Sequence, residues 1–189
     1  ARGPAPVSFA EAVEPQVDSG SCPHMAVVLR SGRELPAVLV SFYALGARRG
    51  GWVVHHALPG ECERDRERLA AGGLEIGDLE GAGSLVLFEF DPAEAPDAAA
   101  ERFEPLLADA LGRGHSALWY SRFPIGPGAL DFANATAYDR AWDARFRGRP
   151  VVTLCPYVLA GEEAGERIAI LDGWHDAVLD ADGRVVPHP

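Results

Sequence analysis

The chain has 189 residues, of which 48% are hydrophobic and 24% charged, and its formal net charge is −11. This length and composition fit one globular domain that can bury a core without disulfide or metal support. The acidic balance disfavours nucleic acid as a partner, since nucleic-acid-binding domains usually present a basic face. All 17 basic residues are arginine. The absence of lysine excludes an ordinary P-loop, a Schiff-base lysine and a kinase-type lysine.

The cysteines and the apolar runs predict the compartment. Cys22, Cys62 and Cys155 are odd in number and widely spaced, which is not a disulfide framework and fits a reducing cytoplasm. Residues 1–14 lack the apolar core of a signal peptide. The longest apolar run, Leu35–Ala47, is too short to span a bilayer. We therefore predict a cytoplasmic protein that does not contact a membrane.

In chain order, residues 1–21 are rich in Pro, Ala and Gly and show no strong period, so we predict a loosely ordered N-terminal arm or an edge element. From residue 24 onward, apolar runs of strand length alternate with segments of helical periodicity. The predicted elements are a strand at Met25–Leu29, a helix at Leu35–Leu45, a strand at Trp52–His56, a helix at Glu61–Ala71, a helical turn at Ile76–Leu79, a strand at Ser84–Phe90, a helix at Asp97–Leu111, a strand at His115–Tyr120, a helix at Ala129–Phe146, a strand at Val151–Leu154 and a helix at Glu162–Leu171.

The end of the chain carries a different signal. Ala177–Leu179 and Arg184–Val186 flank a turn sequence, Asp180–Gly183, which predicts a β-hairpin. Apolar strands that alternate with helices predict a largely parallel sheet, covered on both faces and joined by right-handed crossovers. We therefore predict one three-layer α/β/α domain over residues 22–189, with a mainly parallel sheet of about five strands and a C-terminal β-hairpin.

Several segments also occur in a characteristic order. They are His24–Ala26 before the first strand, Gly50–Val54, Leu69–Leu74 with Gly83–Val86, Gly148–Tyr157 and Val185–Pro189. In this order they resemble the MEDS domain, the methanogen/methylotroph DcmR sensory domain, and Gly148–Tyr157 is the closest match. The family often has a Tyr soon after its opening His, where this chain continues Val27-Val28-Leu29. A ligand role tied to that Tyr therefore finds no counterpart here.

The resemblance implies both a fold and a role. The implied fold is similar to RecA/KaiC-like ATPases but lacks the Walker A loop and the nucleotide machinery. The implied role is that of a bacterial sensory domain in signal transduction and the regulation of transcription. Its signal would be a small organic molecule, including hydrocarbon derivatives. Its partner would be a regulatory protein, either a histidine-kinase-like module or an anti-sigma regulator, and a homodimer is compatible with this role.

Candidate site residues follow from the predicted sheet. Ligands of open parallel sheets bind beyond the carboxyl ends of the strands. The loop after the first strand, Arg30–Glu34, has one Gly and no Gly-Lys-Ser/Thr, so it cannot cradle phosphates in the usual way. Arg122 lies among aromatic residues and is the best candidate to contact an anionic group on a partly apolar ligand. The predicted ligand-binding residues are His24, His55, His56, Glu89, Arg122, Cys155 and Tyr157.

More ordinary roles compete for the same residues. His24 is at least as well explained by a structural bond to the backbone. One of His55 and His56 would pack under a helix while the other lies at a strand end. A metal held by both, with Glu89 or Cys155, is disfavoured because adjacent strand residues point to opposite faces. We therefore predict neither a metal nor a cofactor.

Catalysis is also disfavoured. The apolar-then-acidic strand at Leu85–Asp91 resembles one that holds Mg²⁺ in ATPases, but it lacks the accompanying phosphate loop. Cys155 could act as a nucleophile with a His, but buried Cys is often a small hydrophobe and no Gly-x-Ser-x-Gly elbow occurs. We therefore predict no catalytic residue and no enzyme.

The prediction is thus a sensory domain that binds a small organic ligand and passes a conformational change to a partner. One alternative is a ligand-free protein–protein interaction module, which should expose a contiguous apolar patch. Another is a degenerate nucleotide-binding, ATPase-like protein or enzyme, in which titratable groups should converge in hydrogen-bond contact.

Overall fold

The computed structural model describes residues 8–18, 22–125, 132–159, 161 and 164–187. The elements are α1 (Phe9–Asp18), β1 (His24–Leu29), α2 (Leu35–Arg48), β2 (Trp52–Ala57), α3 (Cys62–Ala71), α4 (Ile76–Gly81), β3 (Leu85–Glu89), α5 (Pro96–Gly112), β4 (Leu118–Arg122), α6 (Phe132–Phe146), β5 (Val151–Val158), α7 (Ala164–Asp172) and β6 (Ala177–Asp180). Within these ranges, from β1 onward, each strand is followed by one helix before the next strand, except that two helices separate β2 from β3.

The strands form one open sheet in the order β3-β2-β4-β5-β1-β6, and every neighbouring pair is parallel. The predicted three-layer α/β/α class is confirmed. The structure differs in one detail, because the first arm of the predicted hairpin is β6, a sixth parallel strand that pairs with β1. The second arm makes only one antiparallel bridge, between Leu179 and Val185. Pairing with β1 satisfies backbone groups that would otherwise remain at an open sheet edge.

Helices cover the sheet on both faces because alternate side chains of each strand point in opposite directions. On one face α1, α2, α3 and α4 share a core with Met25, Val27 and Leu29 of β1. On the other face α5, α6 and α7 pack on side chains such as Tyr120 and Val178. Among the described residues, no helix is both long enough and apolar enough to cross a bilayer.

The segment predicted as a loosely ordered arm contains α1. This helix buries Phe9 and Val13 in the core and packs against α2. Arg49, which follows α2, donates to Glu14 and Asp18 of α1 at 3.2 and 2.6 Å. Phe9 and Val13 have the four-residue spacing of a helix face. Two apolar residues in a segment rich in proline are too short a pattern to predict a helix. Residues 1–7 and 19–21 lie outside the described residues, and the division between arm and domain stays a prediction.

β5 runs to Val158, whereas the sequence predicted its end at Leu154. From Thr153 onward it pairs with β1, up to the pair Leu29–Val158. The length of β1 therefore determines where β5 ends. As a result, Cys155 and Tyr157 lie inside the strand rather than beyond it, and both point to the face covered by α6 and α7.

The packing of Trp119 in β4 requires glycine at two positions. A Cβ atom on Gly46 would lie 2.6 Å from Trp119 Cγ, and one on Gly51 would lie 2.2 Å from Trp119 Cδ1. Trp119 is 1% exposed and is itself surrounded by core side chains, so its ring has no free space to move into. The close approach of α2 to the sheet therefore depends on these glycines.

We expect Gly46→Ala to lower the free energy of unfolding by about 1–3 kcal/mol, because the added methyl group overpacks the core against Trp119. Urea denaturation measures this change. The matched control is Gly112→Ala at the end of α5, where a Cβ meets no atom within 4 Å. The control should leave stability unchanged or raise it by up to about 1 kcal/mol. Equal losses in the two variants would contradict the packing argument.

Candidate functional site

Six polar side chains meet between the sheet and helices α6 and α7, and none is more than 6% exposed. They come from β1, β4, β5, α6 and the turn after α7. Strand register brings them together, because β1 and β5 pair Ala26 with Cys155 and so place alternate residues of both strands on the same face. We call this group the buried cluster: His24, Arg122, Asp139, Cys155, Tyr157 and His175.

Asp139 is the centre of the buried cluster. Arg122 Nη2 donates to Asp139 Oδ1 at 2.5 Å, and the Tyr157 hydroxyl donates to Oδ2. Cys155 Sγ lies 3.4 Å from Oδ1, and His175 Nε2 lies 3.6 Å from Oδ2. Burial raises the pKa of Asp139, but the Arg122 guanidinium, the two nearby histidines and the hydrogen bond from Tyr157 together hold the pKa below its usual value. The carboxylate is therefore ionised and paired inside the protein.

The two histidines of the cluster lie against each other, with ring centroids 4.4 Å apart. His24 Nε2 lies 3.4 Å from Cys155 Sγ, and its Nδ1 faces the Asp143 carboxylate at 3.6 Å. His175 Nδ1 lies 2.8 Å from the carbonyl oxygen of Leu171. The cluster thus contains two imidazoles, a thiol and a carboxylate in direct proximity.

The structure brings together four of the seven residues predicted to bind a ligand: His24, Arg122, Cys155 and Tyr157. The pairing of Arg122 with Asp139 means that its guanidinium is not open to a ligand while that ion pair holds. Glu89 lies apart from the cluster and is exposed, and its side chain accepts a hydrogen bond from the Gly60 backbone at 3.0 Å.

His55 and His56 point to opposite faces of the sheet, as the sequence predicted. His55 Nε2 donates to Asp65 at 3.0 Å, and its Nδ1 accepts from the Tyr43 hydroxyl at 2.8 Å. Burial raises the pKa of Asp65, but His55 and Arg68 together lower the pKa to below its usual value. The two histidines therefore cannot share one ion.

Sequence reasoning missed two members of the cluster, Asp139 and His175. Asp139 had a signal, because it lies three residues before Trp142 on the buried face of a predicted helix. A carboxylate on the buried face of a helix requires a buried partner. His175 had none, since it lies in a turn between α7 and β6 and only the tertiary fold brings it to Asp139.

A small cavity of about 30 Å³ adjoins the cluster, between the sheet and helices α5 and α6. Its walls are mostly apolar, and His56, Arg122, Asp139 and Cys155 are among its polar lining residues. His56 Nδ1 accepts from the Tyr120 hydroxyl at 2.9 Å, and its Nε2 donates to a backbone carbonyl oxygen at 3.2 Å. This volume accommodates about two water molecules, or a ligand of similar size.

A larger cleft of about 470 Å³ opens on the other face, where β1, β2 and β4 end. We call it the strand-end cleft. Its lining includes the loop after β1, the first turns of α2, one face of α3 and the residues that follow β4. Its lining residues include Gly32, Arg33, Leu39, His55, Arg68 and Phe123.

The loop after β1 lies where a phosphate loop would bind an anion, but here an internal acid occupies that position. Glu34 Oε2 accepts from the backbone N–H of Arg30 at 2.8 Å and of Ser31 at 3.4 Å. Backbone N–H groups that are already bonded to a carboxylate are not available to a phosphate group. This arrangement argues against nucleotide binding at the loop.

A comparison with protein families agrees with this architecture. The profile of the MEthanogen/methylotroph, DcmR Sensory domain (MEDS) matches residues 23–177. The chain belongs to the MEDS family. The match in this MEDS domain extends from β1 to the first residue of β6 and includes all six residues of the buried cluster, whereas α1 precedes it. A search of the curated proteins found no match.

We expect His56 to make the stability of the domain depend on pH. Burial lowers the pKa of His56 from its ordinary 6.5 to about 4. The unfolded chain therefore binds a proton between these two values while the folded domain does not. The free energy of unfolding should fall by up to about 3 kcal/mol as the pH decreases from about 6.5 to about 4.

The measurement is urea denaturation across that pH range, for wild type and His56→Gln. Glutamine keeps a donor and an acceptor but does not titrate. Because burial also lowers the pKa of His175 to about 4, only the difference between the two profiles isolates His56. The wild type should lose more stability than the variant, and parallel profiles would contradict the assignment.

The buried ion pair predicts a second effect on stability. Arg122→Met should lower the free energy of unfolding by about 3–5 kcal/mol, since it leaves the Asp139 carboxylate buried without a cation. Adding Asp139→Asn removes the unpaired charge and keeps an acceptor for Tyr157, so the double variant should be more stable than Arg122→Met alone. Double-mutant analysis by urea denaturation tests this, and simple additivity of the two losses would contradict it.

Proposed function

We propose that this MEDS domain binds a small, partly apolar ligand with an anionic group in the strand-end cleft and signals its occupancy to a regulatory protein. Membership in the family supports the sensory role. The observation that carries the ligand proposal is the cleft itself. Its volume of about 470 Å³ lies within the range of pockets that bury small molecules, and its position fits the rule for open parallel sheets.

The chemistry of the cleft suggests the class of ligand. Its walls are largely apolar, and Leu39 and Phe123 are among the lining side chains. Arg68 is paired with Asp65 at 3.1 Å. Arg33 lines the cleft, is exposed, and forms no ion pair within the described part of the chain. An unpaired guanidinium beside an apolar wall is suited to a carboxylate or another oxyanion, which it can bind through two hydrogen bonds.

The signal would pass through α3. This helix forms one side of the cleft and buries only Leu69 among its own residues, so its attachment to the sheet depends on few apolar contacts. Its other face carries alternating charges, including Arg64 and Arg66 with Glu63. A ligand that bridges α2 and α3 would favour one position of α3 over another. The charged face of α3 would then present that change to a partner of the histidine-kinase or anti-sigma type.

A non-catalytic role is supported by the location of the titratable groups. Titratable groups converge in the buried cluster, as expected of an enzyme. The buried cluster, however, lies under α6 and not at an open cleft that a substrate could enter. The Glu34 carboxylate at the loop after β1 disfavours a degenerate ATPase. The three cysteines are free thiols, which supports the predicted cytoplasmic location.

A ligand-free interaction module is less well supported. Such a module should expose a contiguous apolar patch. Among the described residues, the exposed large hydrophobic side chains are Leu111, Ile170 and Val185. They lie on α5, on α7 and after β6, so they are scattered over separate elements. A homodimer through another surface stays compatible with the proposal.

The experiment uses small carboxylates, benzoate and hexanoate, as probes, with benzyl alcohol and 1-hexanol as uncharged controls. Gly32 lines the cleft, and a Cβ at this position meets no atom within 4 Å. Gly32→Phe should therefore fold, fill the cleft and weaken carboxylate binding at least about tenfold. Gly77→Phe is the matched control, since its Cβ is equally unobstructed and Gly77 does not line the cleft.

Arg33→Ala should weaken binding of the carboxylates and leave binding of the alcohols unchanged. Arg184→Ala should affect neither, because Arg184 does not line the cleft. Titrations followed by NMR chemical shifts give both the affinities and the location. Carboxylate binding that survives Gly32→Phe, or the absence of binding by every probe, would overturn the proposal for this cleft.

A further inference from the structure

We propose that the buried cluster is a binding site for a divalent transition-metal ion of the zinc class, with His24, Asp139, Cys155 and His175 as its four ligands. Each residue offers one donor atom, and these four atoms all lie within 4.8 Å of one another. The site lies on the opposite face of the sheet from the strand-end cleft and is independent of the function proposed for that cleft.

The contacts between neighbouring donor groups are close to the edge lengths of a tetrahedral site. His24 Nε2 lies 3.4 Å from Cys155 Sγ, Sγ lies 3.4 Å from Asp139 Oδ1, and Oδ2 lies 3.6 Å from His175 Nε2. With metal–nitrogen bonds of about 2.0–2.1 Å and metal–sulfur bonds of about 2.3 Å, the edges of a tetrahedron measure about 3.3–3.6 Å. Asp139 contacts Cys155 and His175 through different oxygen atoms, and one donor atom from each of the four residues lies within 4.8 Å of the others. Small side-chain shifts would therefore bring the four donors to the separations that the ion requires.

The partners of the two histidines orient their rings for this role. His175 Nδ1 lies 2.8 Å from the Leu171 carbonyl oxygen, so Nδ1 carries the proton and Nε2 presents a lone pair to the cluster. That Nε2 is buried and makes no hydrogen bond with any described residue. At His24, Nε2 faces Cys155 while Nδ1 faces the Asp143 carboxylate. A carboxylate or carbonyl behind a ligating imidazole is the usual arrangement at metal sites.

The unsatisfied nitrogen also provides an energetic argument. A buried polar atom without a partner costs about 1–3 kcal/mol, and His175 Nε2 has no described polar atom within hydrogen-bond distance. A metal ion at the centre of the four donors would supply that partner. The same ion would join β1, β5, α6 and the turn after α7, and would thus tie together the whole layer on this face.

Arg122 and Tyr157 do not compete with the ion for Asp139. A carboxylate offers about four lone-pair sites, so Asp139 can accept from both side chains and still bind the ion through a remaining lone pair. Arg122 and Tyr157 are then positioning residues that hold the carboxylate in place. The Cys155 thiolate and the Asp139 carboxylate carry two negative charges, against two positive charges of the ion and one of Arg122.

The donor set indicates the class of ion. One thiolate, two imidazoles and one carboxylate suit Zn²⁺ and its neighbours among the transition metals, whereas Mg²⁺ and Ca²⁺ prefer oxygen ligands. A surface cavity of about 450 Å³ reaches His24 and Asp143 from the amino end of the sheet, which provides a route from solvent. The sequence analysis predicted no metal, and the arrangement it considered was His55 and His56 with Glu89 or Cys155. The ligands proposed here share only Cys155 with that arrangement.

The test loads the full chain, first treated with chelator, with Co²⁺ alone and then with Zn²⁺. Co²⁺ should bind with one equivalent and produce both the intense visible bands of a tetrahedral site and a thiolate-to-metal charge-transfer band. Zn²⁺ should displace it and raise the melting temperature in a concentration-dependent way. Zinc X-ray absorption should show one sulfur and three nitrogen or oxygen neighbours.

Variants identify the ligands. Cys155→Ser should abolish the charge-transfer band, and His175→Gln should weaken Co²⁺ binding at least about tenfold. Cys62→Ser and Cys22→Ser are the matched controls, because both thiols lie outside the cluster and Cys22 lines the surface cavity. Both controls should leave the spectrum unchanged.

Three results would overturn the proposal: no charge-transfer band in the wild type, a band that survives Cys155→Ser, or a band that disappears in either cysteine control. If Cys155→Ser fails to fold, the X-ray absorption of the wild type and the affinity of His175→Gln decide the question. Gly32→Phe should retain the metal, which separates a failure here from a failure of the ligand proposal.

Discussion

The ion pair between Arg122 and Asp139 constrains the whole layer of helices on one face of the sheet. Both charges are buried, and either one alone would be strongly unfavourable there. Helix α6 must therefore dock where Asp139 meets Arg122. That position also brings Asp139 to Tyr157, Cys155 and His175. A single electrostatic requirement thus assembles a group of residues that come from five separate segments of the chain.

The two faces of the sheet have different characters. Helices α5, α6 and α7 enclose the buried cluster and leave only a small cavity beside it. Helices α2 and α3 leave the strand-end cleft open at the point where three strands end. The end of β4 belongs to both, since Arg122 lies in the cluster and the next residue, Phe123, lines the cleft. The cluster and the cleft thus lie on opposite faces but include consecutive residues of the chain.

Local patterns in the sequence were sufficient for most of the fold. Alternating apolar strands and periodic helices predicted a parallel α/β sheet, since each such strand needs a helix on either face. The opposite orientations of His55 and His56 followed from strand geometry alone. The structure differs from the predicted fold where the pairing of strands determines which residues belong to the sheet. Ala177–Asp180 joined the sheet edge as β6, and β5 continued to Val158 because β1 extends beside it.

The sequence by itself determined the class of fold and the absence of a phosphate-binding lysine, because these depend on residue type and local periodicity. It also named four residues of the buried cluster, but as candidates to bind a ligand, and that role stays a prediction. Tertiary structure alone decided that Asp139 pairs with Arg122, that His175 completes the cluster, and that the cleft lies on the opposite face. These features join residues far apart in the chain. Which of them meet depends on how the helices pack on the sheet, and no local pattern specifies that packing.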